Sequence, residues 1–170
     1  DDGIRVSVNG AEQMIACKTV VWAAGVAASP LGRLLARACA LPEGTVDRAG
    51  RIAVEPDLTL AGHAEISVIG DLALANSHEK DGSTKPVPGV SPGAKQMGRV
   101  AAKNVLARIA GRTPQAFRYI DYGALATIGR KSAVVDVPVP LFGHLRFSGY
   151  FAWLFWLFVH VYFLIGFRNR

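Results

Sequence analysis

The sequence predicts an α/β fold followed by a different unit, in which a β-hairpin carries an apolar helix. Strand-like and helix-like segments alternate over the first hundred residues, which is typical of layered α/β structures. Two β-rich runs follow at 124–128 and 133–137, joined by Gly129-Arg130-Lys131. The stretch 148–167 contains no Asp, Glu, Lys or Arg, which favours a helix shielded from water.

The first seventy residues predict one hairpin, one helix and several short strands. Apolar residues alternate over 4–8 and lead into Asn9-Gly10, which predicts a hairpin with a return strand at 14–16. The Thr19–Ala23 run is almost wholly apolar and predicts a buried strand. Ser29-Pro30 predicts the start of a helix. Its apolar face would be formed by Leu31, Leu34, Leu35 and Ala38, and further strands are predicted at 52–54 and 66–69.

A longer helix completes the α/β part. Residues 76–90 are rich in Gly, Pro and Lys, which predicts a polar loop. Pro92 opens a helix that keeps a helical period until Gly111, a residue suited to the end of a helix. Residues 112–115 form a linker to the last unit. The apolar positions of the helix are Ala94, Met97, Ala101, Val105 and Ile109.

Charge and cysteine usage narrow the classes of partner. Of a formal net charge of +6, most lies in residues 112–170, which hold seven Lys or Arg and two acidic residues. Because these basic residues flank an apolar run rather than polar loops, they favour an anionic lipid surface over nucleic acid. Cys17 and Cys39 form no CxxC motif and have no His–Cys cluster nearby, so we expect two reduced core thiols and no metal site.

Two motifs place small residues or an acid at the end of a strand. The run 20–26 ends around Gly25, where small residues would let a flat ring approach closely, although an ordinary core strand with a tight turn has the same pattern. Gly70-Asp71 follows the strand predicted at 66–69. A carboxylate at the carboxyl end of a parallel strand can accept hydrogen bonds from sugar or ribityl hydroxyls, or it can cap the next helix.

A third motif lies at the start of the long helix, at 88–98. Ser91, Pro92 and Ala94 are small residues that would leave free N–H groups and a partial positive charge exposed there. Such an end would stabilise electron density on a reduced flavin ring. The alternative is a helix that merely begins with proline, with Lys95 and Gln96 as solvated surface residues.

The three motifs, in this order and spacing, resemble those of type II NADH dehydrogenases. The stretches 123–134, 152–160 and 164–170 are similar to C-terminal signatures of the same family, so the resemblance covers essentially the whole chain. It implies a membrane-associated, FAD-dependent NADH:quinone oxidoreductase. It also implies a Rossmann-like, two-dinucleotide-domain flavoprotein, of which this chain is the C-terminal portion. The implied divisions are the end of the NADH-binding domain at 1–27, part of the FAD-binding domain at 28–115 and a C-terminal domain at 116–170.

The resemblance also implies roles for individual residues. Asp71, with Gly70 and Gly25, would bind FAD, and the backbone around Ser91, Pro92 and Ala94 would meet the isoalloxazine ring. Gln96 would line the quinone pocket together with Pro92. Pro92 stands where the family's motif has its first glutamine, so this position lacks a side-chain hydrogen bond. No side chain is predicted to be catalytic.

Glycine-rich dinucleotide loops are absent from the sequence. No GxGxxG motif occurs in the chain, whereas the family needs one loop for FAD and one for NADH. We therefore expect both loops to precede Asp1, and the chain alone to be unable to oxidise NADH. Homodimer formation stays open.

The apolar tail predicts a membrane anchor at 148–170. A helix over Phe151–Phe167 would be about 25 Å long, against roughly 30 Å of hydrocarbon. We expect it to lie in one leaflet, on the cytoplasmic face of a bacterial-type inner membrane, and to continue as amphipathic helix after Arg170. A spanning helix is the main alternative, and a buried helix is disfavoured because no apolar partner surface is evident. The residues expected at the lipid headgroups are Trp153, Trp156, His160, Arg168 and Arg170.

Two other functions share parts of this pattern. A sulfide:quinone oxidoreductase would have the same architecture, but it needs redox cysteines near the flavin, and Cys17 and Cys39 precede the main flavin motifs. A non-catalytic membrane-binding module would need only the tail. Stoichiometric flavin in the full-length protein would exclude that module.

Overall fold

A computed structural model describes residues 2–23, 25, 27–139 and 143–163. Its mixed α/β composition confirms the α/β class. The helices are α1 (Leu31–Ala38), α2 (Ser91–Ile109) and α3 (Tyr150–Tyr162), with a 3-10 turn at Gly70–Leu72. The strands are β1 (Gly3–Val8), β2 (Ala11–Ala16), β3 (Ile52–Ala53), β4 (Thr59–Leu60), β5 (His63–Ser67), β6 (Ala73–Leu74), β7 (Asn76–His78), β8 (Thr84–Pro86), β9 (Ala124–Gly129), β10 (Ser132–Val139) and β11 (Gly143–Gly149).

The hairpin at the start of the chain is confirmed. β1 and β2 pair antiparallel from Gly3 with Ala16 to Val8 with Ala11. The two turn residues, Asn9 and Gly10, have φ angles of 52° and 83°. Two positive φ values in a two-residue loop are the geometry that Asn-Gly favours, because its twist matches that of the flanking strands.

The buried strand predicted at Thr19–Ala23 is wrong for this structure. The backbone of 19–23 is irregular, and Val21 and Trp22 are each 82% exposed. An apolar run becomes a buried strand only when neighbouring strands pair with it on both sides. In the part of the chain that the structure describes, no strand lies beside this run.

A first core joins α1, α2 and the short strands β3 to β8. Its fully buried members include Ile52, Leu60 and Phe117. Helix α2 begins near Pro92, as predicted, and buries Gly93, Met97, Ala101 and Asn104. The predicted apolar positions Val105 and Ile109 are exposed instead, because the side of α2 that faces this core continues from Ala101 to Asn104.

The strands of the first core differ in two respects from the prediction. The strand expected at 66–69 lies earlier, at 63–67, and runs antiparallel to β4. Asp71 therefore follows an antiparallel strand and stands in the 3-10 turn, and the parallel pair is β3 with β6 just after it. The polar loop predicted at 76–90 contains the β7–β8 hairpin, whose polar residues pair through their backbones.

A second core forms between α3 and a three-stranded antiparallel sheet in the order β9-β10-β11. Ala133, Val135 and Ala152 are buried there, with Phe147 and Trp156 packed around them. Strand β11 was not predicted. The sheet supplies the apolar partner surface that the sequence analysis did not identify, so one side of α3 is covered by protein. Of the helices that the structure describes, none combines the length and apolarity needed to cross a bilayer.

Candidate functional site

The 3-10 turn and the start of α2 meet at one pocket, although they are some twenty residues apart in sequence. The pocket brings together two motifs that the sequence analysis singled out separately, at Gly70-Asp71 and at Ala94. The pocket is lined by Arg51, Gly70, Asp71, Ala73, Val87, Pro88, Gly89, Val90, Ala94 and Met97. Its volume, about 250 Å3, includes space open to solvent.

Gly70 holds the turn against α2. Its φ angle is 69°, and a Cβ on this residue would lie 3.5 Å from the Cβ of Ala94. The N–H of Gly70 donates to Sδ of Met97 at 3.2 Å, a weak acceptor that is buried in the first core. These contacts leave Asp71 exposed at the edge of the pocket, where its carboxylate can meet a ligand.

The start of α2 is free of side-chain caps. Val90 precedes the helix in an extended conformation, and no side chain among the described residues accepts from the first turn. The N–H of Ala94 bonds to the carbonyl of Val90 at 3.1 Å, so the N–H groups of Ser91 and Gly93, which precede it, have no partner within the helix. Ser91 and Pro92 are exposed at this end. The helix N-terminus therefore offers partial positive charge beside Asp71.

Gly93 lets the loop before α2 fold back onto the helix. A Cβ at this position would lie 3.1 Å from the carbonyl oxygen of Pro88 and 3.3 Å from Cγ1 of Val87. A glycine therefore allows the Pro88–Val90 wall of the pocket to approach the helix closely. In the sequence, Gly93 was visible only as one of the small residues of the motif at 88–98.

Gln96 makes two hydrogen bonds that the sequence did not predict. Its Nε2 donates to the carbonyl of Ile120 at 2.9 Å, and its Oε1 accepts from the N–H of Ile120 at 2.9 Å. One N–H and one oxygen lone pair of the amide remain for another partner. The side chain thus stands between α2 and the segment that leads into the second core.

Gly25 is not among the residues that line the pocket. It is exposed, and an added Cβ would meet no atom of the described residues within 4 Å. Its neighbours Ala24 and Val26 lie outside the described residues. Gly25 therefore stays a prediction from the sequence.

Helix α3 turns His160 outward, as expected, but not Trp153 and Trp156. Trp153 and Trp156 are half-buried against the second core, and the ring of His160 stacks on Trp156 with centroids 4.0 Å apart. The most exposed aromatic residues of α3 are Phe151, Phe158 and Tyr162. Because α3 is apolar all round, its sequence alone did not show which side faces the sheet. Arg168 and Arg170 lie outside the described residues.

Asp136 in β10 and Tyr119, which precedes Ile120, have shifted pKa values. Hydrogen bonds from His144, at 2.6 Å, and from Arg146, at 2.8 Å, hold the pKa of Asp136 below its usual value. This cluster follows from the register of the sheet, in which Asp136 lies opposite Arg146. Burial raises the pKa of Tyr119, and the charge of Asp121 adds to that rise. Neither group belongs to the pocket.

The fold is shared with a known oxidoreductase. The structure matches the X-ray structure of the sulfide:quinone oxidoreductase from the hyperthermophilic bacterium Aquifex aeolicus with a TM-score of 0.62. The match covers 99% of this chain and 39% of the other, at 16% identity. At this identity the likeness shows the fold alone, so the chain has the architecture of part of such an oxidoreductase.

Sequence comparisons identify the family. Residues 122–170 match the family model of the NDH2 C-terminal domain. The type II NADH:quinone oxidoreductase NdhA of Mycobacterium tuberculosis is 45% identical over 167 residues, which are 95% of this chain and 32% of that protein. The type II NADH:quinone oxidoreductase of Staphylococcus saprophyticus is 35% identical over 134 residues, 79% of this chain and 31% of that protein.

These matches confirm the resemblance drawn from the sequence. The chain corresponds to a C-terminal portion of the type II NADH:quinone oxidoreductases. It spans about a third of the length of the curated relatives that it matches.

Proposed function

We propose that the chain forms part of a membrane-associated enzyme that passes electrons from NADH to quinone, with FAD as its redox cofactor. The observation that carries this proposal is the meeting of Gly70-Asp71 with the start of α2 at one pocket. A flavin site needs a hydrogen-bond acceptor for hydroxyl groups and a positive end for electron density. Asp71 lines the pocket, and the start of α2 lies beside it.

The residues at the pocket fit part of such a cofactor. Asp71 would accept hydrogen bonds from the ribityl and diphosphate region, and the helix start at Ser91 and Pro92 would face the ring. Ala94 adds a surface without bulk beside Gly70. Because the pocket includes space open to solvent, these residues would hold only one edge of FAD. Its remaining contacts, with those of NADH, would come from other parts of the protein.

The quinone would bind on the other side of the start of α2. Pro92 offers an apolar surface there, and Gln96 retains one N–H for a quinone carbonyl. The domain divisions at 27 and 115 belong to this proposal. Phe117, which is buried in the first core, lies just after the second of these divisions.

Helix α3 would bind one leaflet of the inner membrane from its cytoplasmic face. Its exposed side carries Phe151, Phe158 and Tyr162, whereas its other side packs on the sheet. A helix that is half covered by protein can insert only its free side into lipid. Arg168 and Arg170 would add attraction to anionic lipids.

Asp71→Ala is expected to lower the flavin content of the purified full-length protein. A hydrogen bond to a charged group contributes roughly 1.5–3 kcal/mol, so flavin binding should weaken by about tenfold or more. The measurement is the flavin absorbance per protein, followed by flavin release on heating. Asp81→Ala is the matched control, since Asp81 is an exposed acid in the β7–β8 turn. Equal flavin content in both variants would exclude Asp71 from the cofactor site.

Replacing exposed aromatic residues of α3 is expected to release the protein from vesicles. The variant is Phe151→Gln with Phe158→Gln, which keeps the side of α3 that packs on the sheet. Leu106→Gln with Ile109→Gln is the control, because these exposed residues lie on α2. Flotation with neutral and anionic vesicles measures binding, and a tag after Arg170 reports its side of the membrane. Unchanged flotation, or a tag on the far side, would contradict binding to one leaflet.

A further inference from the structure

We propose that Gln96 is a positioning residue, which fixes the connection between the two cores and thereby the place of the C-terminal sheet relative to the start of α2. This inference rests on the proposed quinone reaction, because the effect of Gln96 on turnover would be measured with quinone as the substrate. The sequence resemblance implied direct contact between Gln96 and quinone. The geometry assigns it a second task on the protein itself.

Gln96 pairs with the backbone of Ile120 through both ends of its amide. It satisfies the N–H and the carbonyl of that one residue, each at 2.9 Å. A side-chain amide that pairs with both groups of one residue replaces a strand neighbour and fixes the backbone in position and direction. Ile120 itself is exposed, so its backbone is held by Gln96 rather than by burial of its side chain.

The residues just before Ile120 are anchored in the first core. Phe117 is fully buried, its N–H donates to the carbonyl of Pro56 at 2.7 Å, and its carbonyl accepts from the N–H of His78 at 2.9 Å. The Oγ of Ser77, which is 3% exposed, accepts from the N–H of Tyr119 at 2.9 Å. Gln96 is therefore the last of a series of contacts that fix residues 117–120 to the first core.

The part of the chain that matches the NDH2 C-terminal domain begins shortly after Ile120. The match to the NDH2 C-terminal domain starts at residue 122, and strand β9 starts at Ala124. On the far side of that domain, Nζ of Lys95 lies 4.3 Å from the ring centroid of Phe163. Gln96 and its neighbour Lys95 thus contact the C-terminal part of the chain where it leaves the first core and again after α3.

Loss of the Gln96 amide would therefore free the C-terminal sheet to shift relative to α2. The residues around a quinone bound between Pro92 and α3 would then be less well positioned, and the quinone would bind more weakly. Ser77 offers an independent test of this idea, because it is buried and cannot touch quinone, yet it holds the residue next to Ile120.

The experiment compares Gln96→Leu with Ser77→Ala in the full-length protein, with Gln13→Leu in the exposed strand β2 as control. Amide hydrogen exchange at Ile120 and Tyr119 measures the fixation of the segment, and the quinone KM measures its consequence. We expect exchange at Ile120 to become about tenfold faster in Gln96→Leu, exchange at Tyr119 to do so in Ser77→Ala, and the quinone KM to rise in both. Gln13→Leu should change neither quantity.

Ser77→Ala separates positioning from direct binding, because Ser77 is buried and offers no group to quinone. A rise in its quinone KM, together with faster exchange at Tyr119, supports positioning. A large rise in KM in Gln96→Leu, with unchanged exchange at Ile120 and no effect of Ser77→Ala, would overturn the proposal. A protein that turns over no quinone would instead refute the proposed function, while the exchange measurement would still test the fixation.

Discussion

Gly123→Ala is expected to prevent the C-terminal sheet from packing normally. The φ angle of Gly123 is 89°, and a Cβ there would collide with the carbonyl oxygen of Asp136 and lie 2.7 Å from Cα of Val137. Both atoms belong to the backbone of β10, so they cannot rotate away. The unfavourable φ costs about 1–2 kcal/mol and overpacking about 1–3 kcal/mol, which together predict a loss of roughly 2–5 kcal/mol.

The measurement is thermal unfolding of the second core, followed through the fluorescence of Trp153 and Trp156, which are half-buried in it. Gly129→Ala is the matched control, because a Cβ on Gly129 would meet no atom within 4 Å. The control should melt within a few degrees of the unchanged protein, and Gly123→Ala should melt well below it. Equal melting temperatures for the two variants would show that β10 can move aside.

Asn104→Leu is expected to destabilise the first core by about 3–5 kcal/mol. Asn104 is 1% exposed, and its amide donates to the carbonyls of Asp57 and Gln115 at 3.2 and 2.9 Å while it accepts from the N–H of Gln115 at 2.8 Å. Leucine has a similar volume but leaves these three backbone groups without partners. Each unsatisfied buried group costs about 1–3 kcal/mol.

Urea unfolding of the full-length protein checks this prediction, with Asn76→Leu as the control because Asn76 is exposed on β7. A salt bridge joins Nη2 of Arg108 to Oδ2 of Asp57 at 2.5 Å and is unchanged in both variants. The stability of Asn104→Leu therefore shows whether this salt bridge alone can hold the loop around Asp57. If Asn104→Leu unfolds at the same urea concentration as the unchanged protein, these hydrogen bonds contribute little.

Short sequence patterns correctly predicted the elements whose geometry depends on only a few neighbouring residues. Asn9-Gly10 specified its hairpin through φ angles that Asn and Gly tolerate, and Pro92 marked the first turn of α2. The run at 19–23 and strand β11 show the limit of such signals. An apolar run needs neighbouring strands to become a strand, whereas β11 forms because β10 offers it a complete antiparallel partner.

The sequence predicted those parts of the candidate site whose residue types themselves indicate a chemical role. Gly70-Asp71 and the start of α2 came from the sequence, but their meeting at one pocket depends on the packing of Met97. The partner of Gln96 lies 24 residues away, at a position that no local pattern indicates. The outward side of α3 depended likewise on an undetected partner, the sheet that covers Trp153 and Trp156.

The order of elements in the second core bears on how the chain folds during synthesis. β9, β10, β11 and α3 follow one another in sequence, and each pairs or packs with a close neighbour. Contacts of such short range form quickly, since little chain entropy is lost in closing each loop. The sheet leaves the ribosome before α3 does. We therefore expect the two half-buried tryptophans to be covered soon after they emerge, which shortens the time in which they can drive aggregation.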